Sequence, residues 1–373
     1  MMPRSLRALK GRGAVTNLQG RYEVNVREAF DDGWLREDEE PRTWRTHVTE
    51  ETAKSILSRN QSPDIPFGVS LNPYRGCEHG CIYCFARPSH SYLGLSPGLD
   101  FESKLYAKVN APDLLRSELS KPGYTVEPIA LGVNTDAYQP VERELQITRR
   151  VLEVLQECQH PVGLITKSSL IERDIDILAP MAEKRLAAAS ITLTTLDPKI
   201  ARTLEPRAAA PERRLRTIRT LAEAGIPVGV SVAPIIPFVT EPEIEKIIEA
   251  AFDAGAVQAS YVVLRLPWEV NPLFKEWLEA HFPERAQRVM NRVREMHGGK
   301  DYDATFATRM AGQGLWADLI RQRVEKATQR CGMAGRGTRF KQLDCTLFRR
   351  PVVVPPQGAK AKRAEAMGQL SLF

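Results

Sequence analysis

An α/β fold built on a parallel sheet is what this sequence predicts, and three observations carry it. Apolar strand-like runs recur at residues 67–71, 128–133, 162–166, 188–193, 228–233 and 259–264. Helical patterns separate them, at 111–119, 142–157, 174–183, 212–224 and 241–254. Strand and helix in strict alternation place helices outside a parallel sheet. The 373 residues are 43% hydrophobic, enough for one large domain with additions, or two domains. No apolar run approaches the ~18–20 residues of a membrane span.

The elements follow in order. Residues 1–65 lack sustained periodicity and read as an arm that packs on the body or stays partly mobile, with a short helix expected around 49–59. The alternating unit occupies 66–271. A loop rich in cysteine follows its first strand. The second strand ends in Asn134, Thr135 and Asp136, the third in Thr166 and Lys167, and the fourth in Thr192, Thr194 and Thr195. In an α/β barrel, ligands sit at these carboxyl ends. Small residues on the fifth strand, among them Gly229 and Ser231, leave room for a flat ligand. Residues 272–350 read as basic helices, with Trp277, Leu278, Phe282, Val289, Met290 and Val293 spaced as one apolar face. Residues 351–373 read as a flexible tail.

The net charge is +6. Within 284–350, fifteen basic residues face seven acidic ones, which suits a phosphate-contacting surface or a solvated helical face. The first residues carry no apolar stretch of a signal peptide. Six cysteines in a chain this long do not suggest a disulfide scaffold. Free thiols imply a reducing compartment, so a cytoplasmic protein is expected.

The chemistry concentrates after the first strand. Cys77, Cys81 and Cys84 lie in one loop at C-x3-C-x2-C spacing, with Tyr83 ahead of the last. Three thiolates can hold three corners of a four-iron, four-sulfur cluster and leave the fourth iron open for chemistry. A structural zinc loop is the alternative, with His79 or His90 as fourth ligand. The remaining cysteines, Cys158, Cys331 and Cys345, read as small buried apolar residues.

This motif resembles the signature of the radical S-adenosylmethionine superfamily. The resemblance implies a partial (β/α)6 barrel, a 4Fe-4S cluster on Cys77, Cys81 and Cys84, and S-adenosylmethionine on the open iron. It implies cofactor contacts from Tyr83, Thr135, Asp136, Lys167 and Thr194, and an electron donor such as flavodoxin or ferredoxin. The stretch Thr166-Lys167-Ser168, then Glu205-Pro206 and Arg213, resembles the spore photoproduct lyase-like branch, whose lyase repairs a thymine lesion in DNA. A departure matters here. The lyase returns a hydrogen atom from a cysteine at the end of the second strand, and the matching position is Asn134. That particular reaction is therefore not expected.

The last five residues, Gln369, Leu370, Ser371, Leu372 and Phe373, resemble the peptide with which bacterial DNA repair proteins bind the sliding clamp. Together these features point to a radical enzyme acting on nucleic acid, in DNA repair or modification. RNA or protein modification, and a non-enzymatic metal-bearing binding module, are the alternatives.

Overall fold

The computed structural model describes residues 9–23, 44–306, 308–335 and 342–352. The clamp-like peptide at Gln369–Phe373 lies outside these residues. The strands are β1 (His47–Glu51), β2 (Leu57–Arg59), β3 (Val69–Leu71), β4 (Tyr74–Arg75), β5 (Lys104–Lys108), β6 (Ile129–Leu131), β7 (Val162–Thr166), β8 (Ala187–Thr192), β9 (Val228–Ile235) and β10 (Gln258–Val263). The helices are α1 (Leu99–Ser103), α2 (Ala111–Ser120), α3 (Glu142–Leu145), α4 (Ile147–Glu157), α5 (Ile175–Glu183), α6 (Pro198–Leu204), α7 (Pro211–Glu223), α8 (Ile244–Asp253), α9 (Val270–His281), α10 (Pro283–Met296) and α11 (Gly314–Arg330).

One sheet has the order β10-β9-β8-β7-β6-β3-β2. From β3 to β10 every pairing is parallel, and β2 closes the edge antiparallel to β3. The six expected strands are therefore present in sequential order, as a partial (β/α)6 barrel requires. On the outer face, β-branched and leucine residues of the strands pack against α4, α5, α7 and α8 in one large apolar core.

Small residues set the inner face. Ser190 stands beside Gly229, and Gly229 beside Gln258. One layer further on, Thr192 pairs with Ser231 and Ser231 with Ser260. A closed barrel fills such layers with bulky branched side chains. Here glycine, serine and alanine leave the interior open.

Two local expectations are corrected. The helix expected around 49–59 is two strands, β1 and β2. β1 pairs along its whole length with β5, more than fifty residues away, and that partner outweighs the local helical pattern. The helix expected over 142–157 breaks at Gln146, whose φ is +49°. The buried Glu142 carboxylate accepts from the Thr148 amide at 3.0 Å and the Arg149 amide at 3.3 Å, taking up the free amides of α4.

The predicted apolar face of the C-terminal helices is present, with Trp277, Leu278, Val289, Met290 and Val293 buried together. Many of the arginines there are engaged internally. Arg294 pairs with Asp301, Arg309 with Asp64, Arg323 with Glu241 and Glu245, and Arg330 with Glu249. This weakens the view of that region as a phosphate surface. No helix among the described residues is long and apolar enough to cross a membrane.

Candidate active site

A cavity of about 580 Å³ opens inside the partial barrel. Cys77, Cys81 and Cys84 all line it, and all three are free thiols. Two glycines shape the loop that carries them. Gly76 has φ +75°, and a Cβ there would meet the Phe101 carbonyl oxygen at 2.9 Å. Gly80 has φ +66° and lies against Glu102.

The loop is locked from behind by Arg87, which is fully buried. Its guanidinium donates to the carbonyls of Cys81 (2.9 Å), Gly80 (3.0 Å), Pro97 (3.0 Å) and Gly98 (2.9 Å), and pairs with Glu102. Glu102 also accepts from the amides of Gly13 (3.0 Å) and Ala14 (2.8 Å). The N-terminal segment thus closes over the loop. The approach is close enough that a Cβ on Gly13 would fall 1.8 Å from the Gly80 oxygen. On the other side, Gln139 accepts from the Glu78 amide at 2.9 Å and donates to Gly76 at 3.2 Å.

The donor set fits an iron–sulfur cluster. Among the described residues, no group of three His, Cys, Asp or Glu converges on a single ion position. A cubane spreads its ligands over separate corners, so three thiols on one wall suit it better than they suit one zinc. His90 is turned away, with its Nε2 2.9 Å from the Lys104 carbonyl. Burial pushes the Cys77 thiol well above its ordinary pKa, helped by Asp136 and the other two sulfurs. Burial pushes Cys81 up to about 12, although Lys167 opposes it. Metal binding must therefore displace protons from these sulfurs.

The other predicted residues divide. Tyr83, Asp136 and Lys167 line the cavity. Lys167 is half-buried at the end of β7, and no carboxylate ion-pairs with it among the described residues. Burial depresses its pKa, but the Cys81 sulfur and Glu205 outweigh that and hold it above the ordinary value. Asp136 is already engaged. Its carboxylate accepts from Thr166 Oγ1 (2.7 Å), Tyr138 N (2.9 Å) and Lys167 N (2.8 Å), and lies 3.3 Å from His79 Nδ1, off the direction of a hydrogen bond. Burial alone would raise its pKa; His79 and these donors reverse the effect and bring it to about 2. Asp136 thus ties the β6 loop to the end of β7.

Thr135 and Thr194 are not brought to the cavity. Thr135 is buried and donates to the Tyr74 carbonyl at 2.9 Å. Its neighbour Asn134 lines the cavity instead. Thr194 donates to Glu205 at 2.6 Å, and Thr192, two residues earlier, takes the cavity position. Cys158, Cys331 and Cys345 do not line the cavity either. Cys158 lies in the main core.

Sequence reasoning missed a buried network under the cavity floor. Glu205 accepts from the Tyr83 hydroxyl and ion-pairs with Arg214. Arg214 also donates to the Thr192 carbonyl at 3.0 Å and the Ala209 carbonyl at 2.7 Å. Tyr83, and with it the cysteine loop, is anchored to the sheet in this way. One signal was present: Arg214 lies four and seven residues before Ile218 and Leu221, on the apolar stripe of α7.

The family profile described as the radical SAM superfamily matches residues 71–251. An uncharacterized protein of Mycobacterium tuberculosis is 33% identical over 285 residues, covering 76% of this chain and 80% of that protein. An uncharacterized protein of Methanocaldococcus jannaschii is 26% identical, over 65% of this chain and 86% of that protein. Among solved structures, spore photoproduct lyase complexed with dinucleoside spore photoproduct aligns with a TM-score of 0.52 at 12% identity. The alignment covers 77% of this chain and 81% of that one. The chain belongs to the radical SAM superfamily, whose enzymes use a 4Fe-4S cluster and S-adenosylmethionine. Its likeness to the lyase is one of fold.

Proposed function

We propose that Cys77, Cys81 and Cys84 hold the cluster, that the cavity above them binds S-adenosylmethionine, and that the substrate is nucleic acid, most directly DNA. When bound, such a cluster would supply one-electron cleavage of S-adenosylmethionine, to methionine and a hydrogen-abstracting 5′-deoxyadenosyl radical. The chain's own residues bind, orient and shield. Lys167 meets the methionyl carboxylate through a charge-assisted hydrogen bond. Asn134 and the Asp136 loop flank the methionyl end, and Asp136 acts by positioning Lys167. Tyr83 sets the floor beside the cluster loop. Gly229, Ser231 and Ala233 give the adenosyl group a flat wall and exclude water. Three thiols, and one ammonium that enters no ion pair among the described residues, on the wall of a single cavity carry this reading.

The nucleic-acid part draws support from the fold shared with a lyase solved with a dinucleoside photoproduct, and from the clamp-like residues Gln369–Phe373. A cytoplasmic location and a small reductant such as flavodoxin or ferredoxin belong to the same proposal. The test is anaerobic reconstitution with iron and sulfide, then reductant and S-adenosylmethionine. 5′-Deoxyadenosine should form, and lesion-bearing, deuterated oligonucleotides should pass deuterium into it. A zinc-loaded, inert protein would overturn the cluster; label transfer from a peptide or RNA alone would overturn the DNA substrate. Loss of clamp retention in a chain ending at Gly368 tests the tail.

A further inference from the structure

We infer that the rim of the cavity is a base-stacking and phosphate-binding subsite for a single nucleic-acid strand, built by Phe85, Trp268 and Arg265 and continued outward by Arg21, Tyr22 and Tyr92. The inference rests on the nucleic-acid reading above and deepens it.

Arg265, just beyond the carboxyl end of β10, lines the cavity. Among the described residues Arg265 enters no ion pair; its charge acts at longer range on Asp64, which Arg309 already holds. Its Nε is buried without a hydrogen-bond partner. Among the described residues its other nitrogens reach only Met310 Sδ at 3.3 Å, a weak acceptor, and the Tyr302 hydroxyl at 3.4 Å. Arg309, the other arginine on the wall, is neutralised by two 2.6 Å contacts to Asp64. With Lys167 committed to the cofactor, Arg265 is, among the described residues, the lining cation left to receive an anionic substrate group.

The rings beside it are displayed. Phe85 follows the last cysteine of the loop, is 46% exposed, and carries the Arg265 guanidinium 5.5 Å from its centroid. Trp268 is 63% exposed, lines the same cavity, and sits at φ +46°. A bulky residue rarely occupies that region, and such conformations cluster at functional sites. The turn is held in place: Val270 N donates to the Pro267 carbonyl at 3.0 Å and Asn271 N to the Trp268 carbonyl at 3.1 Å.

Arg21 lies 4.4 Å from the Trp268 ring centroid and is fixed by Glu269 at 2.7 Å. The same guanidinium is 5.4 Å from the Tyr22 ring, and Tyr22 lies 5.0 Å from Tyr92 with the two rings tilted by 31°. Both tyrosines are more than half exposed. Rings interleaved with guanidinium planes, leading from a cavity to the surface, match how unpaired bases are held, stacked on aromatic faces, with Arg265 left to meet the backbone.

The test is fluorescence anisotropy with the full-length, reconstituted protein and labelled ten-residue probes. Oligothymidylate should bind at least about ten-fold tighter than an abasic strand of equal length, because each stacked base contributes. Trp268→Ala should weaken the base-bearing strand about 5- to 100-fold and leave the abasic strand nearly unchanged, while Trp268→Phe restores most of the loss. Arg265→Gln should weaken both strands and reduce the salt slope by about one. Thermal midpoints of the variants report folding. A matching oligouridylate separates RNA from DNA as the source of the base, and tighter binding of either strand supports the subsite. Equal binding of abasic and base-bearing strands, unchanged binding by folded Trp268→Ala, or preference for an acidic decapeptide would overturn it. Absence of 5′-deoxyadenosine from the same wild-type preparation counts instead against the proposed function.

Discussion

Replacing Arg87 by methionine should unfold the cysteine loop from behind without touching a cysteine. The fully buried guanidinium donates to four carbonyls at 2.9–3.0 Å and pairs with Glu102, itself fully buried. Methionine fills much of the volume but takes the paired guanidinium from the Glu102 carboxylate, leaving Arg12, which donates to the Glu102 carbonyl at 2.7 Å, as the nearby charge. Breaking a buried pair from one side costs about 3–5 kcal/mol. Each orphaned carbonyl adds up to about 1 kcal/mol, without strict additivity. The expected loss is therefore at least about 3 kcal/mol, read as a drop in the urea midpoint of the cluster-free protein. The double variant Arg87→Met/Glu102→Gln removes both charges. It should recover at least about 1 kcal/mol, because a neutral amide can still accept from Gly13 or Ala14. A single variant that costs less than about 1 kcal/mol, or a double variant no better than the single, would refute the reasoning.

Other expectations follow from the same geometry. Lys167→Met should weaken S-adenosylmethionine binding about 10- to 100-fold by calorimetry, with iron content retained and Lys167→Arg intermediate. Arg214→Leu strands the buried Glu205 and should cost about 3–5 kcal/mol in the same urea assay. Gly13→Ala forces a Cβ against the Gly80 oxygen, so iron retained per chain after desalting should fall. Burial holds the His160 pKa down at about 4, with the Pro161 carbonyl opposing. The unfolded chain takes up this proton near pH 6.5 and the folded chain only near pH 4, so stability is lost as pH falls through that window. The contribution is roughly 3 kcal/mol, and His160→Phe, which packs beside Tyr124 and Phe348, should flatten that part of the stability–pH curve.

The barrel was legible because each strand is a short apolar run set between helical patterns, and the cysteine loop was legible from spacing alone. What stayed hidden depends on partners distant in sequence. β1 reads as helix until β5 lies beside it. Arg87, Glu102, Glu205 and Arg214 give no local sign of their pairing, since nothing in the neighbouring sequence says that each will be buried against another. At strand ends a small slip redirects a side chain, which is why Asn134 and Thr192 reach the cavity where Thr135 and Thr194 do not. The positive C-terminal stretch misleads for the same reason: its carboxylate partners, such as Asp64 and Glu241, come from other elements.

The most direct measurement pairs two quantities on Cys77→Ala, Cys81→Ala and Cys84→Ala: iron bound after anaerobic reconstitution, and 5′-deoxyadenosine released. Wild type should hold close to four irons per chain and turn over, while each variant loses most of its iron and all detectable product. A variant that kept both would contradict the assignment of the cluster to these three sulfurs.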